Sequence, residues 1–366
     1  MNELTLSYSL TDQSFERTKS LGILNLSVQL AQALARSSAF QRFTVFSNRS
    51  LDSRVALPAG TEVRHSDGAA TSSAGRIAWD QWQCYSAAGR SRNQWLFLPK
   101  GFASFIRKPP VKLAAYVHDA MHDFYAERFP KAMPAFEPWY FRKALIATLC
   151  DASVVFTNTE FTRTEVLRLA KKFGLREPRT QLAGIGFQLQ RPQLTAGKQN
   201  RILVSTGRWP HKRSDLAVDW VRRWQQQTRF GGEIHVVGAL QDAVVVPPDA
   251  KWKYHVRLAE SEYSDLLGMA RVLVYFSEYE GFGMPPVEGI LAGACAVFSD
   301  LPVTREVMRE AGQRFSNDSF ESFCRAMDAA LAVSPETIET WSRELLLRHS
   351  WDNVVQRIVT SLREAD

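Results

Sequence analysis

The sequence predicts an α/β protein built from two doubly wound domains, and three observations support this fold class. Short apolar segments of strand length alternate with amphipathic segments of helix length, which is typical of βα units and parallel sheets. The alternation stops at the polar segment 188–200, QLQRPQLTAGKQN, and then starts again. A chain of 366 residues exceeds one ordinary core and fits two domains.

The first half of the chain contains alternating strands and helices. Strands are predicted at 4–8, 43–46, 95–98, 113–117 and 153–156. Helices are predicted at 23–35, 76–88, 138–149 and 160–173. The last of these helices has Thr159 in front of it, a residue type whose hydroxyl often caps a helix.

The second half repeats the pattern. Strands are predicted at 202–205, 234–237, 272–276 and 296–298, and helices at 214–227, 262–270 and 287–294. After residue 350, apolar residues recur at helical spacing, so this last segment is predicted to be a helix that packs against another element.

Composition narrows the class of protein. Hydrophobic residues make up 45% and charged residues 23%, as in an ordinary soluble globular protein. No apolar run approaches the roughly 20 residues of a spanning helix, and the first residues lack the features of a signal peptide, so a cytoplasmic location is expected. The net charge of +7 suits an anionic partner but does not distinguish nucleic acid, an anionic membrane and a nucleotide diphosphate.

The four cysteines show neither a metal-ligand spacing nor a redox spacing. They are Cys84, Cys150, Cys295 and Cys324. Cys150 and Cys295 lie in apolar stretches, so they are predicted to be buried thiols.

The most informative segment is 277–303, which places Glu280 and Glu288 around a Gly-Phe-Gly turn. Pro285 and Pro286 start a helix there, because proline is tolerated in a first turn but not in a helix interior. Helix N-termini attract anions, and flanking carboxylates can accept hydrogen bonds from hydroxyls, a combination that fits a sugar nucleotide. Taken alone, two glutamates eight residues apart are more often solvated surface, and Glu288 could merely complement the helix dipole.

Two further segments carry candidate site residues. After the strand at 202–205, Gly207 is followed by three cations, Arg208, Lys212 and Arg213, which can neutralise a diphosphate leaving group. In the first half, His118 ends an apolar strand, where α/β sheets place their ligands. A histidine at such a position is about as often structural. A metal site among residues 118–123 is disfavoured.

The segment from Glu280 to Glu288 resembles the E-x7-E motif of the retaining glycosyltransferases of family four, which have the GT-B fold. The segment from Gly207 to Lys212 resembles the family's G-R-x-x-x-x-K motif, and His118 with Asp119 resembles its H-D motif. The resemblance implies two Rossmann-like doubly wound domains facing across a cleft. It further implies an N-terminal acceptor-binding domain over 1–190, a C-terminal nucleotide-sugar domain over 191–349 and a last helix, 350–366, that crosses back to the first domain.

The resemblance also implies roles for individual residues. His118 would hydrogen-bond a sugar hydroxyl, Glu280 would orient the donor sugar, and Arg208 with Lys212 would hold the diphosphate. The loop is one residue shorter than usual in the family, so Arg213 is a second candidate for the lysine's role. The implied donor-binding residues are Gly207, Arg257, Leu258, Phe282, Gly283, Met284, Pro285 and Glu288. The implied acceptor or phosphate loop contains Lys19 and Gly22.

The resemblance therefore implies a metal-independent retaining hexosyltransferase that needs no cofactor. Its donor would be a nucleoside diphosphate sugar, with a GDP-linked mannose-like sugar favoured. Its acceptor would be a growing cell-surface glycan or a lipid-linked saccharide, with no nucleic acid partner. Two alternatives stay open: a GT-B epimerase or phosphorylase acting on related substrates, and a basic glycan- or nucleic-acid-binding protein without enzymatic activity. A nicotinamide dehydrogenase is disfavoured, because no G-x-G-x-x-G follows the first strand.

Segment 100–112, KGFASFIRKPPVK, combines four cations with aromatic and aliphatic residues and has no acidic residue. Such a segment can seat a protein on an anionic bilayer, so peripheral contact with the inner face of the plasma membrane is predicted. The alternative is a loop whose phenylalanines belong to the core.

Overall fold

The computed structural model describes residues 3–18, 21–68, 72–134, 136–188 and 198–365. These residues form two compact α/β units. The first contains the described residues of 1–127, 133–186 and 349–366, and the second contains those of 128–132 and 187–348. The predicted domain boundary at 190 falls on residues outside the described ranges.

The first unit is built on a seven-stranded sheet in which all neighbouring strands are parallel. Its strands are β1 (Leu4–Ser9), β2 (Phe40–Ser47), β3 (Glu62–His65), β4 (Trp95–Leu98), β5 (Lys112–Val117), β6 (Val154–Thr157) and β7 (Thr180–Leu182). They are ordered β3-β2-β1-β4-β5-β6-β7. The central strands β1 and β4 are buried along their whole length, as expected of a parallel sheet covered on both faces.

Helices connect these strands. They are α1 (Leu21–Arg36), α2 (Ser73–Ala78), α3 (Cys84–Ser91), α4 (Met121–Arg128), α5 (Phe136–Asp151) and α6 (Glu160–Lys172). A π-helical turn, Trp79–Gln83, joins α2 to α3. The predicted cap of α6 is confirmed, since the Thr159 hydroxyl accepts a hydrogen bond of 3.0 Å from the Thr162 amide.

The second unit has a six-stranded sheet, also parallel throughout. Its strands are β8 (Arg201–Ser205), β9 (Glu233–Val237), β10 (Trp252–His255), β11 (Val272–Tyr275), β12 (Cys295–Ser299) and β13 (Gln313–Phe315). They are ordered β10-β9-β8-β11-β12-β13. The helices are α7 (Ser214–Thr228), α8 (Glu260–Met269), α9 (Met284–Leu291), α10 (Pro302–Met308), α11 (Phe320–Ala332) and α12 (Pro335–Arg348).

An aromatic cluster forms part of the core of the second unit. The ring of Trp220 on α7 lies 5.7 Å from that of Phe276, which lies 4.5 Å from Phe315 and 5.4 Å from Phe323. Three of these four rings are at most 1% exposed. The packing holds α7 and α11 on one side of β11 and β13 and fixes the strand end at which the candidate site begins.

The last helix, α13 (Trp351–Glu364), belongs to the first unit. It buries Trp351, Val354 and Ile358 and packs against α1 and β6. The predicted helical packing of this segment is confirmed.

Each sheet has a topological switch point, a place where neighbouring strands are followed by connections that diverge to opposite sides. In the first unit it lies between β1 and β4, and in the second between β8 and β11. Open α/β sheets bind ligands in the crevice at the carboxyl ends of such strands. The fold thus marks one candidate position in each unit.

The predicted class, two parallel-sheet α/β units, is confirmed, and the long predicted elements are present. The sequence patterns missed the short edge strands β3 and β7 and helix α4, whose few residues carry little periodic signal. They also predicted no element over 302–348, where the structure has strand β13 and helices α10, α11 and α12. The prediction for Cys150 was wrong: this residue lies on the exposed face of the last turn of α5, whereas Cys295 is buried in β12. Within the described ranges, no helix is both long and apolar enough to span a bilayer.

Candidate functional site

A lysine and a glutamate meet at the switch point of the second unit. Lys212 ends a short 3-10 turn that follows β8, and Glu280 lies in the loop that follows β11. The Lys212 Nζ atom is 2.6 Å from Glu280 Oε1 and 2.5 Å from the hydroxyl of Tyr275, the last residue of β11. The Tyr275 hydroxyl in turn donates to the same Glu280 oxygen over 2.6 Å. The three groups form a closed triangle of charge-assisted hydrogen bonds.

A third donor completes the environment of Glu280 Oε1. The hydroxyl of Ser277 lies 2.7 Å from this oxygen. Among the described residues, all donors to the carboxylate contact Oε1, and Oε2 accepts no hydrogen bond from them. Glu280 is thus held by one oxygen and keeps the lone pairs of the other for a hydroxyl-bearing ligand.

The electrostatics of the pair follow from burial and contact. Burial raises the pKa of the Glu280 carboxyl, but the charge of Lys212 and the hydrogen bonds from Lys212 and Tyr275 lower this pKa by more. Its net pKa therefore lies below the ordinary value. Burial, together with the nearby Lys212 charge, lowers the pKa of His211 to about 4. At neutral pH the site therefore contains an ionised carboxylate at Glu280 and a neutral imidazole at His211.

Hydrogen bonds from neighbouring strands fix the loop that carries Glu280. The Ser277 amide donates to the Ser299 hydroxyl at the end of β12, and Ser299 donates to the side chain of Asn317. The Asn317 amide group donates back to the Ser277 carbonyl over 2.7 Å. The network ties the ends of β11 and β12 together, so the carboxylate is held on a rigid frame.

The Gly-Phe-Gly turn leads into α9 as the sequence predicts. Gly283 adopts a φ of +82°, a conformation that favours glycine, and precedes the first helical residue, Met284. Phe282 is buried and its ring lies 5.9 Å from that of Phe187. Because Pro285 and Pro286 have no N–H, the first turn of α9 offers fewer amide donors to an anion than an ordinary helix N-terminus does.

Glu288 lies one turn into α9 and is half-buried. No described residue forms an ion pair or side-chain hydrogen bond with it. Burial, with a smaller contribution from the charge of Glu260, raises the pKa of Glu288 to about 7. A half-buried carboxylate without a cation is costly, which is typical of a group whose partner is a ligand.

The other two predicted cations, Arg208 and Arg213, do not contact the Glu280 carboxylate. Arg208 is exposed, with its guanidinium 5.0 Å from the centre of the Trp209 ring. Arg213 donates to Glu278 over 2.5 Å and to Asp215 over 3.2 Å. Of the two candidates for the lysine's position, it is Lys212 that contacts Glu280.

Gly207 leaves room for the Lys212 side chain. A Cβ atom at this position would lie 3.1 Å from Lys212 Cγ, closer than ordinary contact. The glycine of the motif therefore has a steric function, since any side chain would press on the stem of the lysine.

The residues predicted to surround the base lie beyond β10. Arg257 is exposed, and Leu258 packs against the cluster that includes Leu203 and Leu266. The Leu258 side chain thus supports the core, which leaves only backbone groups at this position for a ligand.

In the first unit, His118 follows β5 and is buried. Its Nε2 atom lies 2.6 Å from the Pro99 carbonyl oxygen, which can only accept, so the ring proton is on Nε2. Burial lowers the pKa of His118 to about 4, so the ring is neutral and Nδ1 is a hydrogen-bond acceptor. This Nδ1 is buried and has no partner among the described residues.

The remaining predictions for the first unit concern the loop before α1 and the disfavoured metal site among residues 118–123. Gly22 lies in the first turn of α1, whereas Lys19 lies outside the described residues. Asp123 does not point to a metal site, because it forms ion pairs with Arg168 at 2.9 Å and Lys172 at 2.7 Å.

Sequence reasoning missed a buried ionic cluster at the switch point of the first unit. Lys100, directly after β4, contacts Asp12, which follows β1, and lies 3.9 Å from Asp80 in the π-helical turn. Burial raises the pKa of Asp80 to about 7 and lowers that of Lys100 to about 7. The sequence signal for this cluster was that Asp12 and Lys100 each follow a strand. Lys100 was instead assigned to the basic segment 100–112, so the ion pair was not predicted.

The chain is similar to known glycosyltransferases, and the matched segment covers the second unit's candidate site. The profile of the family described as "Glycosyl transferases group 1" matches residues 187–343, which include Lys212, Glu280 and Glu288. The solved structure of sucrose-phosphate synthase from Thermosynechococcus elongatus is similar to this chain, with a TM-score of 0.71. The match covers 99% of both chains, at 13% sequence identity. The overall likeness places this protein in the GT-B fold.

Two curated relatives are more similar in sequence over shorter segments. The O-antigen chain mannosyltransferase RfbU of Salmonella typhimurium is 27% identical over 175 residues, 46% of this chain and 48% of the relative. The GDP-mannose:cellobiosyl-diphosphopolyprenol alpha-mannosyltransferase of Xanthomonas oryzae pv. oryzae is 28% identical over 113 residues, 29% of this chain and 30% of the relative. The chain therefore matches about half the length of the first relative and less than a third of the second. Together with the family profile, these relatives show that parts of the chain are similar to glycosyltransferases.

Proposed function

We propose that this protein is a glycosyltransferase that moves a hexosyl group from a nucleoside diphosphate sugar to a hydroxyl of a glycan or lipid-linked saccharide. The observation that carries the proposal is the Lys212–Glu280 pair at the β8/β11 switch point, inside the segment that matches the glycosyl transferase profile. A fixed ammonium suits the negative charge that grows on a leaving diphosphate. A carboxylate with one oxygen left to accept suits a sugar hydroxyl.

Donor recognition would divide between two carboxylates. Glu280 would orient the sugar through Oε2, and Glu288 would accept hydrogen bonds from the ribose hydroxyls, which would compensate for its lack of a protein partner. Backbone groups at 257–258 would contact the base. Both curated relatives are named mannosyltransferases and one name specifies GDP-mannose, which supports a GDP-linked mannose donor.

The proposed reaction retains the configuration of the sugar. The bond between the anomeric carbon and the diphosphate oxygen breaks, and the acceptor oxygen bonds to the same carbon from the same face. The acceptor proton passes to the departing phosphate oxygen. Lys212 and Arg208 would neutralise the diphosphate without a metal ion, and the unpartnered Nδ1 of His118 would accept a hydrogen bond from a sugar hydroxyl.

Steady-state kinetics with GDP-mannose and UDP-glucose test the proposal. We expect Lys212→Ala to lower kcat about 100-fold or more, because it removes a charge that acts on the leaving group. Glu288→Ala is expected to raise the donor KM with a smaller effect on kcat, since it removes ground-state binding. Lys251→Ala, at an exposed lysine outside the site, is the matched control.

Two further measurements address the finer claims. Nuclear magnetic resonance of the product should show the donor's anomeric configuration, and turnover should persist in the presence of EDTA. Unchanged kinetics in both site variants, with folding verified by thermal unfolding, would contradict the proposed mechanism.

A further inference from the structure

Exposed apolar side chains are concentrated on one surface of the first unit. Among the described residues, nine large hydrophobic side chains are exposed, and four of them lie here. They are Trp82 at 43% exposure, Ile106 at 50%, Phe136 at 56% and Trp139 at 50%. We refer to these four residues as the aromatic surface. Large exposed apolar patches usually mark an interaction site.

The aromatic surface is continuous. The ring of Phe136 lies 5.7 Å from that of Trp139, and Trp139 lies 5.8 Å from Phe105, the neighbour of Ile106. On the other side of Ile106, the Arg107 guanidinium donates a hydrogen bond of 3.4 Å to the carbonyl oxygen of Trp82. The start of α5, the 104–107 loop and the π-helical turn therefore present one patch.

The loop at its centre is rigidly held. Gln81 in the π-helical turn is completely buried, and its Oε1 accepts a hydrogen bond of 3.0 Å from the Phe105 amide. The Ser104 hydroxyl donates to the Gln81 carbonyl over 2.8 Å. These bonds fix the backbone while Ile106 and Arg107 project outward, so the exposed residues form a preorganised surface.

Cations surround the patch. Arg107, Arg142 and Lys143 are exposed, and none of them forms an ion pair with a described residue. Lys108 is also exposed, but its charge is compensated by Asp151 at 2.5 Å. Glu137 on α5 is a further, half-buried acid. Three exposed cations therefore lie close to these residues in the chain: Arg107 follows Ile106, and Arg142 and Lys143 lie within about one helical turn of Trp139.

We propose that the aromatic surface docks the first unit onto an anionic lipid bilayer. Tryptophan and phenylalanine favour the boundary between headgroups and acyl chains, and cations beside them attract anionic headgroups. Lys143 lies one turn beyond Trp139 on α5, so its charge can reach the headgroups while the ring inserts.

The docking surface differs from the one predicted from the sequence. Within segment 100–112, Lys100 is mostly buried in the ionic cluster with Asp12, and Lys112 donates to the carbonyl oxygen of Ala365. Phe102 lies partly buried, 4.9 Å from the Phe141 ring. Within that segment, residues 106–108 and Pro110 are exposed, and the start of α5 and Trp82 supply the remainder of the docking surface.

Co-sedimentation of the full chain with vesicles tests the proposal. We expect binding to phosphatidylcholine vesicles containing about one third phosphatidylglycerol, weakening as salt rises, and much weaker binding to pure phosphatidylcholine. Replacing both Arg142 and Lys143 by Gln should weaken binding about 25-fold, since each cation near an anionic surface contributes about a fivefold increase in affinity. The double variant Phe136→Ala, Trp139→Ala should also lose binding, at high salt as well as low salt.

Matched controls come from the second unit. Leu347→Ala removes an apolar side chain that is 76% exposed, and Arg325→Gln removes an exposed charge, so both variants should bind like the unaltered chain. Thermal unfolding verifies that each variant is folded. Absence of wild-type binding at low salt, or equal binding by the Phe136/Trp139 variant, overturns the proposal. So does sedimentation equilibrium if it shows a dimer that this variant dissociates, because the surface would then join two copies.

Discussion

Lys212 and Glu280, 68 residues apart in the chain, form an ion pair of 2.6 Å at the switch point of the second sheet. Lys100 and Asp12 occupy the corresponding place in the first sheet. In both units these residues follow the two strands that flank the switch point. The carboxylate follows the earlier strand in the first unit, whereas the lysine follows the earlier strand in the second unit. At a switch point the two connections run to opposite faces of the sheet, which leaves a crevice at the carboxyl ends of the two strands. Both pairs therefore lie where an α/β sheet is open to a ligand.

The Lys212–Glu280 pair should show strong energetic coupling. Both side chains are largely buried, so Lys212→Met leaves an uncompensated carboxylate and Glu280→Gln leaves an uncompensated ammonium. Each single variant should lose about 2–3 kcal/mol in the free energy of unfolding, and the double variant less than the sum by at least about 1 kcal/mol. Urea denaturation of the four proteins measures the coupling. Additive losses would show that the pair contributes little as a unit.

Glu288 should make stability depend on pH. Its folded-state pKa of about 7 lies above the ordinary value of 4.5, so the folded chain binds more protons than the unfolded chain between these values. The contribution of this residue to stability is therefore full below about pH 4.5 and is lost as pH rises toward 7. Relative to Glu288→Gln, wild-type stability should fall by on the order of 1–2 kcal/mol between pH 5 and pH 8. A pH-independent difference in urea denaturation would contradict this assignment.

Gly207→Ala should impair activity more than stability. The added Cβ would press on Lys212 Cγ at 3.1 Å and displace the ammonium, but a flexible side chain can yield at small cost to the fold. We expect kcat to fall about tenfold or more, since displacement by about an ångström can cost this much. Gly268→Ala is the control: its Cβ would enter open space within α8, so stability should rise by about 0.5–1 kcal/mol with kcat unchanged. Equal activity in both variants would argue against the steric function of Gly207.

Gly186→Ala should loosen the last helix. Its Cβ would lie 2.4 Å from the indole of Trp351, at the start of α13, and neither the backbone nor a ring buried to this degree can move freely. A loss of about 2–3 kcal/mol in unfolding free energy is expected from such overpacking. In a Trp351→Ala background, the same glycine substitution should cost about 1 kcal/mol less, because the ring contacts are removed while the contact of 2.6 Å with the backbone nitrogen of residue 351 remains. A background-independent cost would place the strain elsewhere than at Trp351.

Much of the fold could be predicted because its signals are local. The buried strand Val272–Tyr275 is a short continuous apolar run, and the amphipathic helix Ser214–Thr228 carries the 3.6-residue period. The structure places both within a residue of the predicted bounds. The three-residue strand Thr180–Leu182 could not be found in this way. It exists because it pairs with β6, a non-local contact that leaves no period in so short a segment.

The sequence by itself determined the two α/β series, the Gly-Phe-Gly turn into a proline-started helix, and the residue types available for an anion and for hydroxyls. Only the tertiary structure decided that Lys212 rather than Arg213 contacts Glu280, that Lys100 is paired inside the first unit, and that Trp139 stands on the surface beside Ile106. The physical reason is that local periodicity records which face of an element is buried. Which side chain meets which across the fold depends on strand order and loop packing, and these bring together residues that are far apart in the chain.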